Sequence, residues 1–354
     1  MVMDFKKMKI AYVPYLPDLS QPADRRRFPF FAKQHEVNFE VAQFNKNYDI
    51  ILLTATANLT KWLMYKRDHP NTKFIFEMVD SLILPSDTFS KLFKGVGRFV
   101  IGKESIPKLD FRRVLIQWLK SADAVICSSS KMKRIIEQWN KNVIVSLDYM
   151  QNEIKIAKSD YQINGKMKLV WEGQSVVLRH LLDFKEVFKQ VNPFCELHII
   201  TDEKYPSYGN LVNREIQNIL SQLPIKSFFH KWEMYKNYEK LIQGDCGIIP
   251  LSKENKMAWH KPANKLISFW FAGLPTLASA TPAYIELMKN AGTDLYCTDT
   301  ADWVSKIKKV YSMKDDERRL MAIKNLDYVS KNYSNEALDI VWFDVFEMIK
   351  YKEL

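Results

Sequence analysis

Short apolar runs alternate with amphipathic segments from one end of the chain to the other. In the first half, "KIAYVPYL" (9–16), "VNFEVA" (37–42), "DIILLT" (49–54), "KFIFEMVD" (73–80), "AVICSS" (124–129) and "VIVSLD" (143–148) read as strands. Helical pieces such as "LTKWLMYKRDH" and "SKMKRIIEQWN" lie between several of them. Runs this continuous, separated by helices, predict parallel strands covered on both faces; a solvated face would demand alternation.

The second half repeats the rhythm. "MKLVWEG" (167–173), "CELHIIT" (195–201), "SFFHKW" (227–232), "CGIIPL" (246–251), "LPTLAS" (274–279) and "DLYCT" (294–298) alternate with helices near 179–190, 209–222, 234–243, 263–272, 282–290 and 301–311. Residues 148–166 are polar and without a clear period, so they read as a linker. Two consecutive α/β halves predict two doubly wound, Rossmann-like domains, over residues 1–155 and 165–332. Open α/β sheets bind ligands beyond the carboxyl ends of their strands. Two such domains facing one another would leave a cleft with a site on both walls.

Composition narrows the class. At 47% hydrophobic, the chain has enough apolar surface for a core and is not of the disordered type. Lys and Arg number 52 against 41 Asp and Glu, so the formal charge is +11, which points to an anionic partner. The charge is diffuse and no nucleic-acid-binding module is visible, so nucleic acid is not the partner expected. Cys127, Cys195, Cys246 and Cys297 form no C-x-x-C pair, which argues against a zinc site and a disulfide framework and for buried thiols in a reducing compartment. The first residues lack the apolar core of a signal peptide. No stretch reaches the ~20 apolar residues of a membrane span. A cytoplasmic protein, or one peripheral at the inner face of a membrane, is expected.

The stretch "WHKPANKLISFWFAGLPTLAS" (259–279) carries the most specific signal. Pro262 suits a first helical turn, Gly273 suits the position just past a helix end, and Pro275 prevents continuation. Spacing places Lys261, Asn264, Lys265 and Ser268 on one helical face. A helix N-terminus already presents free N–H groups and partial positive charge, so two lysines there make a diphosphate site. The competing reading is an ordinary exposed first turn, although first turns favour acidic residues over lysines.

"GDCGIIPL…HKPANKLISFWFAGLPTLASATPAYIEL" resembles the donor-binding half of GT-B fold glycosyltransferases, in particular the retaining, nucleotide-sugar-dependent glycosyltransferase family 4. "LVWEGQSVVLRHL" resembles that group's first strand and phosphate loop in the same domain, and "KNYSNEALDIVWFDVF" resembles its closing segment. The first half matches in rhythm, most clearly in "SADAVICSSSKMKRII". The resemblance implies a helix over 333–354 that crosses back onto the N-terminal, acceptor-side domain. It also implies transfer of a sugar from a nucleotide-diphosphate sugar to an acceptor hydroxyl on a glycan or lipid-linked glycan, as in bacterial surface polysaccharide synthesis. Two positions depart from the pattern: its paired glutamates fall on His260 and Ser268, and its loop arginine falls on Gln174.

On this resemblance the donor meets Gly173, Gln174 and Ser175 in the loop after the first strand of the second half. His260, Lys261, Asn264, Lys265 and Ser268 line the helix start, and the stretch Thr281, Pro282, Ala283 and Tyr284 opens the next helix, where backbone N–H groups would hold a sugar hydroxyl or phosphate. Arg179 lies a turn beyond the loop and reads either as a phosphate contact or as a surface residue. Asp80, at the carboxyl end of a strand, reads as a catalytic carboxylate or a loop cap. It would be the general base if the reaction inverts, or stabilise the charge developing on the sugar if it retains. Arg25, Arg26 and Arg27 would hold an acceptor phosphate or form a solvated charge run. Residues 90–120 mix basic and aromatic side chains, as suits an anionic membrane surface or a plain surface helix pair.

No D-x-D pair, P-loop or G-x-S-x-G elbow is present, so no obligatory metal or other cofactor is expected. A nucleotide-sugar epimerase of the same fold and a non-catalytic subunit that binds glycans or anionic surfaces are the alternatives.

Overall fold

A computed structural model describes residues 5–79, 83, 111–207, 212–234, 236–254 and 259–350. The chain divides into two compact units, Met1–Tyr149 with Asn335–Leu354, and Met150–Ser334.

The first unit is built on six parallel strands: β1 Ile10–Val13, β2 Phe39–Val41, β3 Ile50–Thr54, β4 Lys73–Met78, β5 Ala124–Cys127 and β6 Val143–Val145, in the order β2-β1-β3-β4-β5-β6. Strands β3 and β5 are buried at every position, the pattern of strands covered on both faces. Helix Leu59–Asp68 starts at Asn58, whose side chain accepts from the Lys61 N–H at 3.1 Å. Helix Ser130–Ile136 is capped in the same way by Ser129. Trp118, on helix Phe111–Ser121, lies against Phe74 and Phe76 and donates its indole N–H to the Leu59 carbonyl.

The C-terminal helix Asn335–Lys350 closes this unit. Its Trp342 packs on Phe28 and Phe31 with ring centres 5.8 and 5.9 Å away. Asp339, on the same helix, accepts from the Tyr149 hydroxyl at 2.7 Å and from Gln34 at 3.1 Å, and it pairs with His35 at 2.9 Å.

Arg27 corrects both sequence readings of the arginine run. Its side chain is fully buried, with Nε donating to Glu77 at 2.6 Å and Nη1 to Asp148 at 3.0 Å. Both terminal nitrogens also donate to the Ser146 carbonyl at 3.2 Å. A guanidinium committed to four such bonds and closed off from water binds no acceptor phosphate and is no solvated charge. Arg25 and Arg26 are half-buried.

The second unit holds β7 Met167–Glu172, β8 Cys195–Thr201, β11 Ser227–Lys231, β12 Cys246–Ile249, β13 Thr276–Ser279 and β14 Tyr296–Cys297 in the parallel order β11-β8-β7-β12-β13-β14. An antiparallel pair, β9 Lys204–Ser207 and β10 Val212–Glu215, stands apart from that sheet. This pair corrects the helix expected over 209–222, where Gln217–Leu220 is the only helical stretch among the described residues. The expected linker is docked rather than loose: Lys158 N–H donates to the Ala272 carbonyl at 2.9 Å, and the Tyr161 hydroxyl to Gly273 at 2.8 Å. Arg318 in turn donates to the Tyr161 carbonyl at 3.0 Å. All four cysteines are buried and free, as their spacing predicts. Among the described residues, no helix is long and apolar enough to cross a membrane.

Candidate functional site

The chain leaves β7 in one direction to build β8 and β11, and returns on its other side to build β12, β13 and β14. At such a reversal the connections on the two sides diverge and leave a crevice beyond the strand ends. The residues at that end of β7 are Glu172, Gly173, Gln174 and Ser175.

Gly173 is there because a side chain would not fit. A Cβ on it would stand 2.9 Å from the Trp171 ring and 3.3 Å from Lys265 Nζ. Its N–H is tied to the Ile200 carbonyl at 3.1 Å, and the Ser175 N–H to the Asp202 carboxylate at 3.1 Å. The loop is therefore anchored to the end of β8, and the 3-10 helix Ser175–Phe184 begins from it. Gln174 and Arg179 are exposed.

Lys265 comes to the same point from helix Asn264–Phe271. That helix ends as the sequence predicts. Gly273 adopts φ of 68°, the Gly273 N–H bonds to Trp270 and the Leu274 N–H to Phe269, which satisfies the last carbonyls. Its start differs from expectation. The N-cap is Ala263, so Pro262 lies one residue before the cap and Lys261 falls outside the helix. The four-residue polar face shrinks to Asn264, Lys265 and Ser268. Ser268 is itself buried and spends its hydroxyl on the Lys265 carbonyl at 2.8 Å, so it lines the helix rather than a ligand.

Lys265 is not a bare charge. Its Nζ donates to the Glu172 carboxylate at 2.8 Å and to the Glu172 backbone carbonyl, and it sits 5.8 Å from the centre of the Trp171 ring. The two side chains are 29% and 21% exposed, so the pair is reachable from solvent. Lys261 is exposed, and His260 and Asn264 are half-buried.

At the next strand end, Ser279 bridges β13 to the end of β12: its hydroxyl donates to the Leu251 carbonyl at 3.0 Å and accepts from the Leu251 N–H at 2.8 Å. Helix Pro282–Asn290 follows, with Pro282 in its first turn and Thr281 as N-cap, accepting from the Tyr284 N–H at 3.3 Å. Two backbone N–H groups of this stretch are already engaged: Thr281 N–H bonds to the Ser279 carbonyl at 2.6 Å, and Tyr284 N–H serves the cap. Thr281 is buried with its hydroxyl serving the cap, and the Tyr284 ring is core, its phenol pushed up by burial. Pro282 and Ala283 are half-buried.

Gly173, Gln174, Ser175 and Lys265 thus meet at the carboxyl end of β7, with Asn264 in the turn that carries Lys265. Asp80 and most of the 90–120 segment lie outside the described residues; its final part is helix Phe111–Ser121, whose buried face carries Phe111, Val114, Leu115, Trp118 and Leu119. Sequence reasoning missed Glu172 and Asp202. The signal for both was a carboxylate closing an apolar strand, which carries meaning only once the partner is known. A hollow of about 580 Å³ lined by Lys9, Phe39, Glu40, Lys46 and Tyr48 lies in the first unit, where β1 and β2 begin, at the opposite end of those strands from any carboxyl-end crevice.

No family model matches the chain, and no curated protein does. Solved structures do. HepE of Anabaena, crystallised with UDP and glucose, matches with a TM-score of 0.65 at 12% identity over 97% of this chain and 100% of its own. A glycosyltransferase of Rickettsia africae matches at 0.61 and 13% identity over 97% and 98%. TarM of S. aureus, crystallised with fondaparinux, alpha-GlcNAc-glycerol and UDP, matches at 0.55 and 12% identity over 84% of this chain and 55% of its own, so the chain spans about half of TarM. At identities this low the likeness is one of fold. The fold is GT-B, the pair of Rossmann-like α/β domains found in those glycosyltransferases.

Proposed function

We propose that the protein transfers a sugar from a nucleoside-diphosphate sugar to an acceptor hydroxyl. The observation that carries this reading is the meeting of Lys265 with the Gly173 loop where the strand order of the second sheet reverses. The bond between the anomeric carbon and the diphosphate oxygen breaks, and the acceptor oxygen takes its place on that carbon. Negative charge gathers on the departing diphosphate, and the acceptor's proton is released. Lys265, Lys261 and Arg179 supply positive charge for the leaving group, and the Gly173 loop lets the phosphates approach the backbone closely. This set replaces the cation that metal-dependent transferases use, so the reaction is metal-independent. Family resemblance favours retention at the anomeric carbon, with a glycan or lipid-linked glycan acceptor in bacterial surface polysaccharide synthesis. Arg25, Arg26 and Asp80 belong to this proposal on resemblance alone.

The experiment is a thermal-shift screen of purified protein across nucleoside diphosphates, followed by product analysis with the matching nucleotide-sugars. A true ligand at 100 times its dissociation constant adds about 2.7 kcal/mol of stability. The absence of a shift with every nucleoside diphosphate would refute the reading. Epimerised donor without transfer would place the protein among the epimerases.

A further inference from the structure

Glu172 is assigned no part in the reading above, yet it holds Lys265, the lysine at the centre of that reading. Its carboxylate lies 2.8 Å from Lys265 Nζ, its backbone carbonyl takes a second bond from the same ammonium, and the Trp171 ring stands beside them. A Cβ at position 173 would crowd this place, 2.9 Å from the Trp171 ring and 3.3 Å from Lys265 Nζ. The cradle is thus built around the ammonium, and its net charge is zero.

We infer that Glu172 is a resident competitor for Lys265, set against the diphosphate of the ligand; this rests on the nucleotide-sugar reading of the site. A diphosphate arriving at the Gly173 loop meets an ammonium already neutralised. To be held, it draws Lys265 from the carboxylate, and Glu172 is left ionised beside a group of the same sign. That arrangement weakens the grip on the ground-state diphosphate and on the free nucleoside diphosphate alike. When the product leaves, the carboxylate recaptures the ammonium in an ion pair that needs no other movement. Glu172 therefore limits product inhibition. It acts through its contact with Lys265, so it is a positioning residue for that lysine. The pair is partly solvated, so screening keeps its effect modest.

Glu172→Gln keeps the size of the side chain and an oxygen that accepts from Lys265 Nζ, but removes the charge. Binding to the full chain is measured by calorimetry with the nucleoside diphosphate that gives the largest thermal shift, and with the parent nucleoside as control. Glu172→Gln is expected to bind the diphosphate more tightly by up to about fivefold, the upper end for a partly exposed charge pair, with nucleoside affinity unchanged. In turnover, the inhibition constant of the product falls by the same factor. Equal or weaker diphosphate binding by the variant overturns the inference and leaves the transferase reading standing. Diphosphate and nucleoside affinities that move together also overturn it, since they mark a structural role. If the wild-type chain binds no nucleoside diphosphate, both readings fall. Glu172→Ser, which also removes the charge, carries the same test should the glutamine variant not fold.

Discussion

The Arg27 guanidinium lies 2.6 Å from the Glu77 carboxylate, and neither side chain is open to water. Arg27 enters from the turn before helix Phe28–Gln34, and Glu77 projects from β4. Burial alone would lower the arginine, but Glu77 and then Asp148 outweigh it and raise it further above its usual range. Burial pushes the Glu77 carboxyl up, and Arg27 pulls it part of the way back. Removing one member of such a pair strands the other, at a cost of about 3–5 kcal/mol. Arg27→Met is therefore expected to lose about that much in urea denaturation, and Arg27→Met with Glu77→Leu to recover the part owed to Glu77, since Asp148 still loses its bond to Arg27. The solvated Lys46–Glu40 pair is the control: Lys46→Ala should leave the midpoint where it was.

How legible this was in the sequence depends on the range of the interaction. Runs such as "DIILLT" and "CGIIPL" foretold β3 and β12 because burial on both faces leaves a local mark. Gly273 foretold a helix end because the left-handed backbone there is a local demand. The arginine run gave no sign that Arg27 alone turns inward, since its partners lie 50 and 121 residues away. Lys265 was visible as a charge in an apolar helix, but Glu172, 93 residues earlier, was not visible as its partner. The polar face read from Lys261 to Ser268 assumed a helix one turn longer. The cap at Ala263 removed Lys261 from it, and burial turned Ser268 inward.

Lys265 and Lys261 differ in environment, and their variants should differ accordingly. Lys265 is held in a fixed place beside the Gly173 loop, whereas Lys261 is exposed and lies outside the helix. Preorganised charge is what stabilises a leaving group, and loss of one such donor lowers turnover on the order of 10²–10³. Lys265→Ala is expected to fall by that factor with its melting temperature little changed. Lys261→Ala should lose only a few-fold, on the order of a screened surface charge. Steady-state rates at saturating donor decide it, and near-normal turnover of Lys265→Ala would remove Lys265 from the mechanism.

Gly173 tests the same point without touching a charge. A methyl group there stands 2.9 Å from the Trp171 ring and 3.3 Å from Lys265 Nζ, so the ring has to shift and the ammonium to give a little. The ring stands beside Lys265, so its shift disturbs the ammonium as well. Gly173→Ala is expected to weaken nucleoside diphosphate binding more than nucleoside binding, because the disturbed group is the one proposed to hold the phosphates. A calorimetric titration of both ligands checks this, and equal losses for the two would place the damage elsewhere in the fold.

The strands β8 and β11 carry a proton-sharing array, and it sets an expectation for stability at acid pH. His198 Nδ1 lies 2.9 Å from His230 Nε2, and His198 Nε2 lies 3.2 Å from the Glu196 carboxylate. The two rings are within 13° of parallel with centres 5.1 Å apart. That separation is about what two ring radii and the N···N distance add up to, so the nitrogens point at one another along a line. One N–H between the two nitrogens satisfies this contact, whereas a charge on His230 is opposed by His198 and by Lys240. Burial first, then His198 and Lys240, lower His230 below its ordinary value of 6.5. In the unfolded chain that restraint is gone, so below the ordinary value the unfolded state binds more protons than the native one. The contribution of neutral His230 is therefore complete above 6.5 and is lost as pH falls through the lower folded value. His230→Gln has no such proton to take up. Melting temperatures of both proteins, followed from neutral pH downward, should fall more steeply for the wild type, and parallel curves would show that the array does not titrate in this range.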